Sequence, residues 1–332
     1  MRATVLGAGS WGSALAVHLA RLGATTTLWA RRPEMAHEID RMRENVTYLP
    51  GVRLEGGIKV VGDLPAALRG ADAVLFVAPA QSSRELFRAA VPYLDPGSDL
   101  VIASKGIEQG TLKRLSEAFL EEGGSGIGSR VTVLSGPSFA AEVARGDPTA
   151  VVVAGTDAAA VERVQKRISG GNLRVYTNSD LIGVEVGGAL KNIMAIATGI
   201  VEGLGFGTNT RAALITRGLA EIGRLGAALG GCPGTFAGLA GAGDLILTCT
   251  GTLSRNRSVG LAIGRGRRLD EVLAEMKMVA EGVPTTRAAL ALADREGIDM
   301  PIARKVREIL FEGRTAAEAV GDLLARPLRG EA

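Results

Sequence analysis

Six residues near the start of the chain restrict its fold more than any other feature. Gly7-Ala8-Gly9-Ser10-Trp11-Gly12 is a G-x-G-x-x-G that follows the apolar run Ala3–Leu6 and opens a helical pattern. Between a strand and a helix, glycines at these spacings allow a tight turn and close approach of backbone to a pyrophosphate. They also aim a helix N-terminus at the anion. In a chain with 46 glycines the pattern alone is weak, and a turn without a ligand could use it. The flanking strand and helix make dinucleotide binding the better reading, with Gly7, Gly9, Ser10, Trp11 and Gly12 as the phosphate-facing residues.

Downstream, short β-branched or apolar runs alternate with helical periodicity, as in a parallel sheet with crossover helices. Strands are expected at 3–6, 25–29, 58–61, 73–77, 100–103, 131–134, 150–153 and 173–176, with helices at 12–22, 83–91, 111–121 and 157–168 between them. After Asn178 the alternation stops and helical patterns remain, at 181–204, 211–229, 285–296 and 302–312. The expected architecture is an α/β Rossmann-like parallel-sheet domain over residues 1–178, followed by an all-α domain over 179–332.

A length of 332 residues exceeds what one core usually serves, which agrees with two domains. A net charge of +3 argues against a nucleic-acid or membrane-surface binder. Two cysteines and two histidines give neither a disulfide scaffold nor a metal site. The N-terminus has no apolar segment of signal-peptide length, so a cytoplasmic location is expected. The uncharged stretch Leu225–Gly243 approaches membrane-spanning length, but its glycines and Pro233 read as a buried turn region and no membrane span is expected.

Where an NAD site would place an acidic residue after the second strand, this chain has Trp29-Ala30-Arg31-Arg32. Two guanidiniums there suit a 2′-phosphate, which favours NADP over NAD; an exposed basic loop offset by Glu34 and Glu38 is the plainer alternative. Ser104-Lys105-Gly106 falls at the carboxyl edge of the sheet, where α/β folds bind ligands. Gly136-Pro137-Ser138-Phe139-Ala140 repeats the strand-to-helix arrangement, and Ser138 could cap that helix or meet a substrate oxygen. Lys191 is the only charge between Glu185 and Glu202. Burial would lower its pKa and make it a usable proton donor and acceptor, although a lysine reaching solvent along its stem fits too. Asn192 could orient a substrate or support the helix. Asp244 is isolated in apolar sequence and needs a cationic partner if buried, for which Lys191 is the choice. Arg255 opens a run to Arg268 with five arginines and no acid, either a solvated basic face or, with Ser254 and Asn256, an oxyanion pocket.

Taken together, these segments resemble the bacterial NAD(P)-dependent glycerol-3-phosphate dehydrogenases. The resemblance rests on the glycine turn with Trp11, Ser104-Lys105-Gly106-Ile107-Glu108, Gly136 to Ala140, Leu190-Lys191-Asn192, Gly241-Ala242-Gly243-Asp244-Leu245, Ser254-Arg255-Asn256 and Val279-Ala280-Glu281-Gly282. It implies hydride transfer between dihydroxyacetone phosphate and sn-glycerol 3-phosphate, serving phospholipid synthesis, with Lys191 as general acid/base. Implied substrate contacts are Lys105, Gly136, Ser138, Asp244, Ser254, Arg255 and Asn256. Implied cofactor contacts are Ser10, Trp11, Arg31, Arg32, Lys105, Ala140, Arg255, Val279 and Glu281. Two other readings stay open: a related 3-hydroxyacid or sugar-acid dehydrogenase, and a nonenzymatic dinucleotide-binding regulator. The expected partner is the small-molecule substrate, with a homodimer as a possible assembly.

Overall fold

The computed structural model describes residues 1–54, 56–328 and 330. Its strands are β1 Arg2–Leu6, β2 Thr25–Trp29, β3 Glu44–Asn45, β4 Leu49–Arg53, β5 Ile58–Val61, β6 Ala73–Phe76, β7 Asp99–Ile102, β8 Val131–Ser135, β9 Thr149–Gly155 and β10 Leu173–Asn178. Among them run helices α1 Ser10–Arg21, α2 Pro33–Met42, α3 Leu64–Leu68, α4 Ala80–Ala90, α5 Leu115–Gly123, α6 Ala140–Arg145 and α7 Ala158–Ile168. Then follow α8 Leu181–Gly203, α9 Thr208–Ala228, α10 Pro233–Phe236, α11 Asp244–Thr250, α12 Arg255–Gly264, α13 Leu269–Glu275, α14 Gly282–Arg295, α15 Pro301–Phe311 and α16 Ala316–Leu324.

One sheet has the order β10-β9-β8-β7-β6-β1-β2-β5, and β3 with β4 forms a separate hairpin. Every residue of β6 and β7 is buried, because helices cover both faces of the sheet. On one face Leu15, Leu19, Val161 and Val164 pack against Leu28 and Val101. On the other, the stacked rings of Phe87 and Phe119 lie 4.0 Å apart and Phe76 meets both edge-on. Strand order reverses between β1 and β6, and at such a switch point the carboxyl ends of the strands part to leave a crevice. The glycine turn begins there, at the end of β1.

The expectation of a wholly parallel sheet is corrected at one pair. β8 and β9 are antiparallel, so β9 and β10 point against the others. The connection from Gly136 to Pro148 holds only the six-residue α6, about 9 Å long against the roughly 17 Å of a five-residue strand, so no full crossover helix lies between β8 and β9. A second correction concerns α5, which starts at Leu115 and not at Thr111. Leu112 has a φ of 60°, a left-handed conformation that no helix can continue through. The segment before it is instead a loop closed by a bridge between Ile107 and Arg114.

After β10 the chain turns at once into α8, capped by the Asp180 side chain, which accepts from the Gly183 N–H at 2.8 Å and from the Cys232 N–H at 2.8 Å. α8 is the axis of the helical region and is buried from Gly183 to Val201. A Cβ on Gly199 would collide with the carbonyl of Arg257, and one on Gly260 with the carbonyl of Ile196. These glycines bring α8 and α12 into backbone contact. The stretch Leu225–Gly243 is a turn region only in part: α9 runs through Ala228, α10 follows, and a wide helical turn spans Leu239–Gly243. Among the described residues one unbroken helix, α8, is long and apolar enough to cross a membrane, and 94% of its most apolar stretch lies inside the fold.

Candidate active site

Three elements converge on one carboxylate. Lys191 comes from the middle of α8, Lys105 from the loop after β7, and Asp244 from the first turn of α11. Asp244 is 1% exposed; its Oδ1 accepts from Lys191 Nζ and its Oδ2 from Lys105 Nζ at 2.6 Å. Lys105 Nζ also donates to the Gly136 carbonyl at 3.1 Å. Lys191 Nζ donates to Thr248 Oγ1 at 2.9 Å, and that hydroxyl donates to the Asp244 carbonyl at 2.6 Å. Two cations and one anion leave the cluster net positive, a setting for an oxyanion or a polarised carbonyl. Burial draws the Lys191 ammonium well below the ordinary lysine value, opposed by Asp244 and aided by Lys105. Burial alone would push the Asp244 carboxyl up, but the two ammonium groups outweigh it and hold the group below the usual range.

The partnership of Lys191 with Asp244 matches the sequence expectation, whereas Lys105 as the second cation does not follow from any spacing. Thr248 was missed, although it lies four residues after Asp244 on the same helix. Ser138 does not cap α6, which starts at Ala140 after an N-cap at Phe139; its hydroxyl donates to the Gly136 carbonyl at 3.0 Å and closes the turn. Ser254 does cap α12, accepting from the Arg257 N–H at 3.2 Å. Asn256 donates to Asn192 Oδ1 at 2.9 Å and accepts from the Gly282 N–H at 2.9 Å, joining α8, α12 and α14 beside the lysine cluster.

The five-arginine run is not one basic face. Arg257 turns inward to Glu202, with Nε 2.9 Å from Oε2, while Arg267 pairs with Glu275 and Arg268 with Asp270. Their acids lie outside the run or at its edge. Arg255 has no ion pair among the described residues; its surface is open to solvent although protein crowds it on most sides. That crowding lowers its pKa, with Glu281 opposing. Glu281 reaches across to the first residue of α4, accepting from the Ala80 N–H at 3.0 Å, and its Oε2 has no partner among the described residues. Burial pushes its carboxyl up. Val279, two residues earlier, is exposed.

The glycine turn has the form a dinucleotide needs. Gly7 has a φ of 127°, and a Cβ there would press on the Val77 carbonyl at 2.6 Å; one on Gly12 would collide with the Gly7 carbonyl. Gly9 is different, since a Cβ there would meet nothing within 4 Å. The backbone N–H groups of Gly9, Ser10, Trp11 and Gly12 have no acceptor among the described residues, the first helical bond being Ser13 N to Gly9 O. They lie at the N-terminus of α1, where backbone donors are left to meet an anion. Gly9→Ala is therefore expected to leave the melting temperature within about 2 °C while raising the dinucleotide Kd at least ~10-fold, about 1.4 kcal/mol, measured by fluorescence titration. Arg31 and Arg32 lie exposed beyond β2, and neither pairs with Glu34 or Glu38 within 4.0 Å. No hydrogen bond or ion pair joins them to the lysine cluster.

Two family profiles cover most of the chain. The profile of the NAD-dependent glycerol-3-phosphate dehydrogenase N-terminus matches residues 2–161, and that of the C-terminus matches residues 180–321. A Moorella thermoacetica protein named glycerol-3-phosphate dehydrogenase (NAD(P)+) is 54% identical over 323 residues, covering 97% of this chain and 95% of its own. One of the same name from Geobacter metallireducens is 51% identical over 327 residues, covering 98% of each. The crystal structure of a Coxiella burnetii glycerol-3-phosphate dehydrogenase has a TM-score of 0.93 at 41% identity, covering 98% of this chain and 99% of that one.

Proposed function

The chain belongs to the NAD-dependent glycerol-3-phosphate dehydrogenase family, and from that premise we propose that it interconverts dihydroxyacetone phosphate and sn-glycerol 3-phosphate with Lys191 as general acid/base. The observation that carries the chemistry is the buried Asp244 carboxylate shared by two ammonium groups at the carboxyl edge of the sheet. Lys191 gives its proton to the C2 oxygen during reduction and takes it back during oxidation. Asp244 and Thr248 hold its amine in place. Lys105 donates to the substrate from the opposite side of the carboxylate, and Arg255 holds the phosphate in a two-pronged contact. Asn192, Asn256, Gly136, Ser138 and Ser254 shape the wall around them.

The free N–H groups at Gly9 to Gly12 and the open space beside Gly9 fit a pyrophosphate, and the unpartnered Glu281 Oε2 can accept from an amide of the cofactor. When bound, the nicotinamide dinucleotide supplies or accepts the hydride. Ala140 and Val279 would border it. The assay that tests this reading follows loss of NADPH absorbance with dihydroxyacetone phosphate beside a panel of keto acids. Turnover confined to the keto acids would overturn it in favour of a hydroxyacid dehydrogenase, and turnover of none would favour a regulator. The same reading supplies glycerol 3-phosphate for phospholipid synthesis in the cytoplasm, with a homodimer as the working assembly.

NADP is the favoured cofactor because two guanidiniums, without an ion pair among the described residues, follow β2 where an acid would hold a ribose hydroxyl. Arg31→Ala with Arg32→Ala is expected to weaken NADPH at least ~10-fold, as loss of a charged hydrogen bond does, and NADH by less than ~2-fold. Parallel titrations check this, and equal losses would assign the pair to a solvated basic loop.

A further inference from the structure

The hairpin β3–β4 stands outside the main sheet and carries none of the groups used above. It nevertheless holds the glycine turn by side-chain bonds. Asn45 is 1% exposed. Its Nδ2 donates to the Ala8 carbonyl at 2.9 Å and to Ser13 Oγ at 2.8 Å, on either side of Gly9. Its Oδ1 accepts from the Tyr48 N–H at 3.1 Å, which closes the hairpin's own turn. The Tyr48 carbonyl in turn accepts from Ser10 Oγ at 2.6 Å. Leu49 packs with Ala14 and Ala144 beneath these bonds, with Trp11 against them.

The consequence follows from peptide planarity. In a trans peptide the carbonyl and the next N–H point in opposite directions. An amide that holds the Ala8 oxygen on the hairpin side therefore turns the Gly9 N–H to the other side, where it has no protein acceptor. The second donation, to Ser13, ties the same amide to the first turn of α1. Both ends of the anion-facing turn are thus set by one side chain 36 positions beyond Gly9.

We propose that Asn45 is a positioning residue for the dinucleotide: without touching it, the side chain aims the turn's N–H groups at the pyrophosphate. This rests on the dinucleotide reading of the glycine turn. The alignment of the four N–H groups matters when an anion must meet several at once, so the effect belongs to cofactor affinity more than to turnover.

Asn45→Asp keeps the size and the bond from Tyr48 N–H but sets an oxygen against the Ala8 carbonyl, and Asn45→Ala removes all three bonds. Both are measured as the full chain for NADPH Kd by fluorescence quenching, KM for dihydroxyacetone phosphate at saturating NADPH, kcat and melting temperature. The expected result is an NADPH Kd raised at least ~10-fold with kcat and the substrate KM within ~2-fold. Ser13→Ala should raise Kd less, and combined with Asn45→Ala should add under ~2-fold, because both act through one amide. An NADPH Kd within ~2-fold of the parent in Asn45→Asp overturns the proposal, as does a loss spread evenly over Kd, KM and kcat. If Asn45→Ala does not fold, Asn45→Asp and Ser13→Ala decide by the same criteria. Failure of the unaltered protein to bind NADPH or NADH would instead remove the dinucleotide reading itself.

Discussion

Lys191→Ala is expected to lower turnover by the ~10²–10⁴-fold typical of acid/base groups while NADPH still binds. Lys191 is 7% exposed and its amine is held by Asp244 and Thr248, so a water entering the vacated space would face the same carboxylate without a comparable proton donor. The pH profile gives a second readout. Reduction needs the protonated amine, so its rate should fall as pH rises through the Lys191 pKa, which burial sets below the ordinary lysine value. Oxidation needs the neutral amine and should rise through the same point. Asp244 raises that pKa by its charge, so Asp244→Asn should move both limbs to lower pH as well as slow turnover. Steady-state rates in both directions, with circular dichroism to check folding, decide the matter; near-normal turnover in folded Lys191→Ala would remove the residue from the mechanism.

Arg255→Ala is expected to cut kcat/KM for dihydroxyacetone phosphate by about 10- to 150-fold, matching the roughly 1.5–3 kcal/mol of a hydrogen bond to a charged group. Among the described residues Arg255 lacks an ion pair while Arg257, two residues on, spends its guanidinium on Glu202, so the loss should be specific to the first arginine. Arg255→Lys should recover only part, since a point charge cannot reproduce a planar fork. Unphosphorylated dihydroxyacetone is the control: it should already be poor, and Arg255→Ala should hardly change it. If phosphite or phosphate rescues dihydroxyacetone turnover in the parent and this rescue disappears in the variant, the anion site is located at Arg255. Equal losses for both substrates would assign Arg255 to cofactor or fold.

The main sheet was legible because each of its strands is a β-branched or apolar run bounded by turn residues. The hairpin was not, since β3 is two residues long and β4 carries Pro50 and Gly51, which demote a run from strand patterns. Pro33 in the first turn of α2 was a readable start signal that apolar periodicity does not include. The pairing of Lys191 with Asp244 could be reasoned out because a lone charge in apolar sequence must find its opposite. Lys105 completes that pair only because the loop after β7 carries its Nζ to 2.6 Å from Asp244 Oδ2, a tertiary fact with no local spacing. The serines show the same limit: Ser254 caps and Ser138 does not, and the difference is where a helix starts by one residue.

The backbone contact between α8 and α12 makes the site a caliper. Lys191 stands on one jaw and Arg255 on the other, and the seam at Gly199 and Gly260 closes until peptide atoms meet. The jaw opening is therefore set by van der Waals radii and not by side-chain rotamers, which drift with temperature. A single added carbon at either glycine would wedge the jaws apart and change the gap between the Lys191 amine and the Arg255 guanidinium, while both tips kept their chemistry.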